Sequence, residues 1–107
     1  MKRVSIMELA EVIRSKNSGP YELTFDIIFK DTRSFKLACK SGVFNRELFA
    51  GKYGIDVSNV ISVVEFEPAN AIKATIIRPT VSGGPGETDV YGAQQHAPLL
   101  DIEIPIG

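Results

Sequence analysis

Between Tyr21 and Lys30 the chain alternates without a break. Tyr21, Leu23, Phe25, Ile27 and Phe29 share one parity; Glu22, Thr24, Asp26, Ile28 and Lys30 share the other. A strand turns successive side chains to opposite faces, so this period of two predicts a strand with one buried face. Large apolar side chains on that face each stabilise the fold by ~1.5–3 kcal/mol when fully buried, which makes this stretch the expected anchor of the core. Asp26, in mid-strand on the other parity, is expected in solvent. A partner covering that face would bury its carboxylate, which would then need pairing.

Upstream, Ile6, Leu9, Ala10 and Ile13 fall at helical spacing, and the stretch Ser5 to Lys16 reads as a helix. Ser5 is the candidate cap, with Glu8 three residues on as in a capping box. Arg14 and Lys16 lie where a helix C-terminus favours positive charge, and Asn17, Gly19 and Pro20 stop it. A strand competes for the same residues, because Leu9, Glu11 and Ile13 alternate with Ala10, Val12 and Arg14.

Asp31 to Gly54 predicts two short helices. Asp31 or Thr32 caps the first, which carries Phe35, Leu37 and Ala38 and ends at Gly42; Asn45 caps the second, with Leu48, Phe49 and Tyr53 inward and Gly54 closing it. Arg33, Lys36, Lys40, Arg46, Glu47 and Lys52 make the solvated face. Two strands rich in Val and Ile follow, Val60 to Glu67 and Ala71 to Arg78. The turn Glu67-Pro68-Ala69-Asn70 is short enough to require an antiparallel hairpin. Thr80 to Thr88 is a loop by composition. Val90 to Leu100 predicts a short helix capped by Asp89 and ended or bent by Pro98. Leu100, Ile102 and Ile104 alternate as a last strand, terminated by Pro105.

From Tyr21 onward this order is βαββαβ, the order of a ferredoxin-like α+β sandwich. One antiparallel-rich sheet backed by helices is expected, with the N-terminal segment as an extension. At 107 residues the chain is read as a single domain, 1–107.

Composition narrows the function. Twelve basic against thirteen acidic residues argues against nucleic acid as a partner, since that needs a concentrated basic face. Neither a membrane span nor a secretion signal is read from the sequence, so a cytoplasmic protein away from membranes is expected. Cys39 is the only cysteine. It reads as a small buried hydrophobe and leaves neither a disulfide framework nor a cysteine metal site. No metal and no cofactor is expected.

Three stretches carry candidate chemistry. Arg14, Ser15, Lys16 and Asn17 concentrate cations, a hydroxyl and an amide just before the core strand. They form a candidate clamp for a carboxylate or phosphate, or else an ordinary polar helix end and turn. Ser82, Gly83 and Gly84 open a glycine-rich loop whose backbone N–H groups are able to approach an anion, although no Gly-Lys-Ser/Thr follows as in a phosphate loop. Finally, His96 is a candidate general acid or base oriented by Asp89 or Asp101, with Tyr91, Gln94 and Gln95 offered to a polar ligand. The plainer reading of that last stretch is a polar surface against another protein.

The pieces RSKNSGP, LTFDIIF, FEPANAIKATIIRP and SGGPGETDVYGAQQHAPLLDIEIP resemble a small domain-of-unknown-function family, with the likeness running from Leu9 to Pro105. Members look like companions of acyclic-terpene-utilisation proteins, encoded beside them or fused to them. The C-terminal domain of those larger proteins is ferredoxin-like and has a similar basic-Ser-polar-Gly element. Where it has an acidic residue and a lysine before the glycine, this chain has Lys16-Asn17-Ser18. The resemblance implies an accessory small subunit of a larger acyclic-terpene-utilisation-like protein, contributing polar residues to an interface site for a small carboxylate or acyl thioester. The alternative is a self-assembling anion-binding protein or enzyme with its site at a homo-oligomer interface.

Overall fold

The computed structural model describes residues 2–18, 21–77 and 97–106. In chain order the described elements are β1 (Lys2–Ser5), α1 (Ile6–Leu9), β2 (Ala10–Asn17), β3 (Glu22–Phe29), α2 (Thr32–Ser41), α3 (Arg46–Tyr53), β4 (Val60–Phe66), β5 (Ala71–Ile77) and β6 (Glu103–Ile106). Short 3₁₀ turns occupy Val57–Asn59, Glu67–Ala69 and Ala97–Leu99. The main sheet has the order β2-β3-β5-β4 with every neighbouring pair antiparallel, and β1 and β6 form a separate antiparallel ribbon.

The α+β class is the expected one, and the centre of the sheet follows the expected order. β3 and β4 both lie antiparallel to β5, which sits between them, and α2 and α3 make the connection from β3 to β4. The edge differs from a βαββαβ sandwich with one sheet. The place beside β3 belongs to β2, so the N-terminal segment is part of the sheet and not an addition to it. The closing strand β6 pairs with β1 instead.

Local chemistry explains most boundaries. Asp31 caps α2 by accepting from Ser34 N at 2.7 Å, and Asn45 caps α3 by accepting from Leu48 N at 2.9 Å. Gly42 and Gly54 follow the two helices at φ +71° and +62°, where a side chain would be strained. Asn70 takes the left-handed position at the β4–β5 turn, which its short amide tolerates.

The stretch from Ser5 to Lys16 corrects the helical expectation. Ser5 does cap a helix, accepting from Met7 N at 3.1 Å, but that helix ends at Leu9 after four residues. From Ala10 the chain is a strand, and Lys30 N donates to Leu9 O at 3.0 Å where the switch occurs. Isolated short helices are marginal in water. Seven paired residues along β3, from Ala10 opposite Phe29 to Asn17 opposite Leu23, supply what the local sequence does not. Pro105 is a second correction. It lies inside β6 opposite Arg3 and does not end the strand, because both strands of a two-stranded ribbon have an outer side where a missing N–H costs no ladder bond.

The core fills the space between the sheet and the helices. Leu23, Phe25, Ile27 and Phe29 of β3 are buried there, with Ile72, Ala74 and Ile76 of β5. Phe25 stacks between Phe49 and Tyr53 at centroid distances of 6.1 and 4.8 Å, and Phe29 meets Phe35 and Phe44 at 6.2 and 6.0 Å. Ile6, Leu99, Ile102 and Ile104 extend this cluster to the β1–β6 ribbon, where β6 runs against α2. Tyr21 does not join it. At 61% exposure it precedes the first paired residue of β3, so the strand's alternation does not reach it.

Candidate functional site

One face of the main sheet is covered by helices; the other is open among the described residues. Its side chains form rows fixed by strand register. The middle row reads Arg14, Asp26, Lys73, Val64 across β2, β3, β5 and β4. On one side of it lies the row Lys16, Thr24, Thr75, Ser62, and on the other Val12, Ile28, Ala71, Phe66.

Asp26 is the centre of this face. Its Oδ2 accepts from Arg14 Nε at 3.1 Å, and its Oδ1 lies 3.4 Å from Lys73 Nζ. The Asp26 side chain keeps only 20% of its exposure, while those of Arg14 and Lys73 keep 62% and 46%. Two cations thus flank a largely covered carboxylate. Lys73 also stands 5.5 Å over the Phe66 ring, an attraction of the ammonium to the negative π-face. Beside this network Ser18 Oγ and Thr24 Oγ1 lie 2.6 Å apart, and Thr24 and Thr75 hydroxyls 3.3 Å apart. The rim is apolar: Val12, Val64, Phe66 and Ile77 are all exposed.

The strand geometry divides the expected anion clamp. Arg14 and Lys16 point to the open face, whereas Ser15, opposite Phe25, and Asn17, opposite Leu23, share the helix-side parity, and Ser15 is buried. The four residues therefore do not converge as a clamp from one turn; the two cations do share a surface, with Asp26 between Arg14 and Lys73. Asp89, Tyr91, Gln94, Gln95 and His96 lie outside the described residues, as do Ser82, Gly83 and Gly84. Asp101, the alternative partner for His96, is engaged in an ion pair with Lys52 of α3.

The groups with clearly displaced proton affinities do not offer reactivity. Burial pushes the Cys39 thiol up to about 12, helped by the hydrogen bond the thiol donates to the Glu65 carboxylate, so it is a thiol and a poor nucleophile at neutral pH. Burial also raises Tyr53. Asp31 and Asp56 are held below the usual carboxylate range, the first chiefly by the Ser34 backbone N–H, the second chiefly by the Ser58 hydroxyl. Among the described residues no group of three His, Cys, Asp or Glu side chains is placed to hold a metal ion, and no helix is long and apolar enough to cross a membrane.

Sequence reading singled out Arg14 and Asp26 separately but missed Lys73, Thr75 and Phe66. A strand over Ala71–Ile77 puts Lys73 and Thr75 on one parity. Only the pairing register sets them beside Asp26 and Thr24.

Fold and face together define a small α+β domain whose described residues leave one sheet face covered by helices and the other open. The chain belongs to the family described as a domain of unknown function, DUF4387, whose model matches residues 6–103. That span takes in every strand of the main sheet. No curated protein and no solved structure matches the chain.

Proposed function

We propose that this protein is an accessory subunit that docks through the open face of its main sheet onto a larger protein. The observation that carries this reading is the Asp26 network inside an apolar rim. Removing a charge from water is costly unless it is paired and hydrogen-bonded. Asp26 already has Arg14 and Lys73 as partners, so covering this face leaves no orphaned carboxylate. The rim side chains Val12, Val64 and Phe66 supply apolar area around a polar centre, the reverse of a surface arranged only for water.

The resemblance of the sequence points to an acyclic-terpene-utilisation-like protein as the larger partner. Arg14 and Lys16 outnumber the one carboxylate of their rows, so the matching surface carries an acidic group, or the two proteins together hold a small carboxylate or acyl thioester there. Catalysis, where it occurs, belongs to the assembled complex, since an accessory chain lends residues to a site it does not enclose.

Coexpression of the tagged chain with that larger protein, followed by light scattering, tests the proposal. A complex of fixed stoichiometry is expected, and Val64→Glu combined with Phe66→Glu is expected to abolish it while the chain stays folded by circular dichroism. A complex indifferent to those two charges, or no complex at all, overturns the reading.

A further inference from the structure

The outer edge of β4, which borders the open face and has no strand beyond it among the described residues, carries an inference of its own. Exposed edge strands are ordinarily short or guarded by lysine, proline or a covering element, because their unpaired backbone groups recruit other strands. β4 is seven residues long, has Glu65 as its one charged residue and contains no proline. Of the eight large apolar side chains exposed among the described residues, Ile61, Val64 and Phe66 are on this one strand. An open groove of about 710 Å³ runs between it and the start of α3, lined by Phe44, Arg46, Glu47 and Val63 among others.

The direction of the backbone groups follows from two hydrogen bonds. Asn70 O accepts from Phe29 N, so residue 70 and, two by two, Ile72, Ala74 and Ile76 address β3. Lys73 and Thr75 then address β4, and with them their partners Val64 and Ser62. Val63 and Glu65 must point outward. Ile61 agrees, since its carbonyl accepts from Arg46 Nη2 at 3.3 Å on the outer side.

We infer that β4 pairs antiparallel with β4 of a second copy of this chain, about a two-fold axis at Val63. Both Val63 residues then exchange N–H···O bonds, and Ile61 stands opposite the partner's Glu65. Arg46, already beside Ile61, meets that carboxylate, and two-fold symmetry makes the ion pair twice. Both groups belong to the helix side of the sheet, because Glu65 shares the parity of Ile72 and α3 packs there against β4. The edge formed by β4 and the start of α3 is therefore complementary in charge to itself, which a foreign strand has no reason to match. Two four-stranded sheets join into one of eight, and the open faces remain available on the same side.

Sedimentation of the full-length chain over a concentration series tests this. A reversible dimer is expected. Val63→Pro deletes the outward N–H without touching the β4–β5 ladder, and it should yield a folded monomer. Arg46→Glu and Glu65→Arg should each weaken dimerisation on the order of tenfold or more. Mixing the two should restore a dimer, since both cross-pairs become attractive again. If Val63→Pro does not fold, the charge-reversal mixture decides alone. A wild-type chain that stays monomeric, a dimer insensitive to these substitutions, or folded variants that fail to rescue each other would overturn the inference. So would amide protection of Val63 and Glu65 that arises only when another protein is added, which would assign the edge to a foreign strand.

Discussion

The two faces of the main sheet are built from the same strands and teach different things. On the helix side every second residue of β3 is buried, and Phe25 and Phe29 each meet aromatic side chains from the elements between β3 and β4. On the open side the same strand presents Thr24, Asp26 and Ile28, none fully buried and each tied to a cross-strand neighbour. The first face holds the domain together. The second carries the Asp26 charge network and the exposed apolar side chains Val12, Val64, Phe66 and Ile77. Core packing and the proposed docking surface are thus separated by one residue of register along each strand.

The sharpest way to break this comparison is to substitute the same strand on its two sides. Phe25→Ala should cost about 3–5 kcal/mol, seen as a lower urea midpoint, because its cavity lies between Phe49 and Tyr53. Asp26→Ala, one residue on, should cost about 1 kcal/mol in the free chain, since Arg14 and Lys73 return to water. Phe66→Ser should change stability by about 0.5 kcal/mol or less while removing the proposed complex. Equal losses at Phe25 and Phe66 would show that the open face is structural after all.

Two further tests concern protons and give smaller effects. Cys39 has a folded value raised to about 12, so its contribution to stability is full below the ordinary thiol value and is lost as pH rises toward about 12. At about pH 8 iodoacetamide should modify it far more slowly in the folded chain than in urea. Asp31 has the opposite sign. Its folded value is lowered, so the cap's contribution is full above the ordinary carboxylate value and fades as pH falls through it to the lower folded value. Asp31→Asn should keep the cap and flatten that acid-side loss, read as urea midpoints between about pH 5 and pH 2.

Much of the architecture was legible because it is written in short-range chemistry. The alternation from Leu23 to Phe29, the Asp31 and Asn45 caps, the Gly42 and Gly54 stops and the hairpin turn at Asn70 all act over a few residues, and each stands where the pattern put it. Ala10 to Asn17 was less legible. Its apolar spacing satisfies a helix and a strand equally, and the decision came from β3, a partner later in the chain. The candidate site divides along the same line. Arg14 and Lys16 were recognisable as a pair of cations, but grouping them with Ser15 and Asn17 assumed a turn. In a strand, neighbours in sequence face apart.

By itself, then, the sequence determined where α2 and α3 start and stop, which parity of β3 is buried and that the class is α+β, because caps, turns and alternation are local. Only the tertiary structure decided that β2 occupies the sheet edge, that β6 leaves the sheet to join β1, and that Asp26 lies between Arg14 and Lys73. Those outcomes depend on which distant strands pair and in what register, and hydrogen bonds between strands carry no mark in the residues that make them.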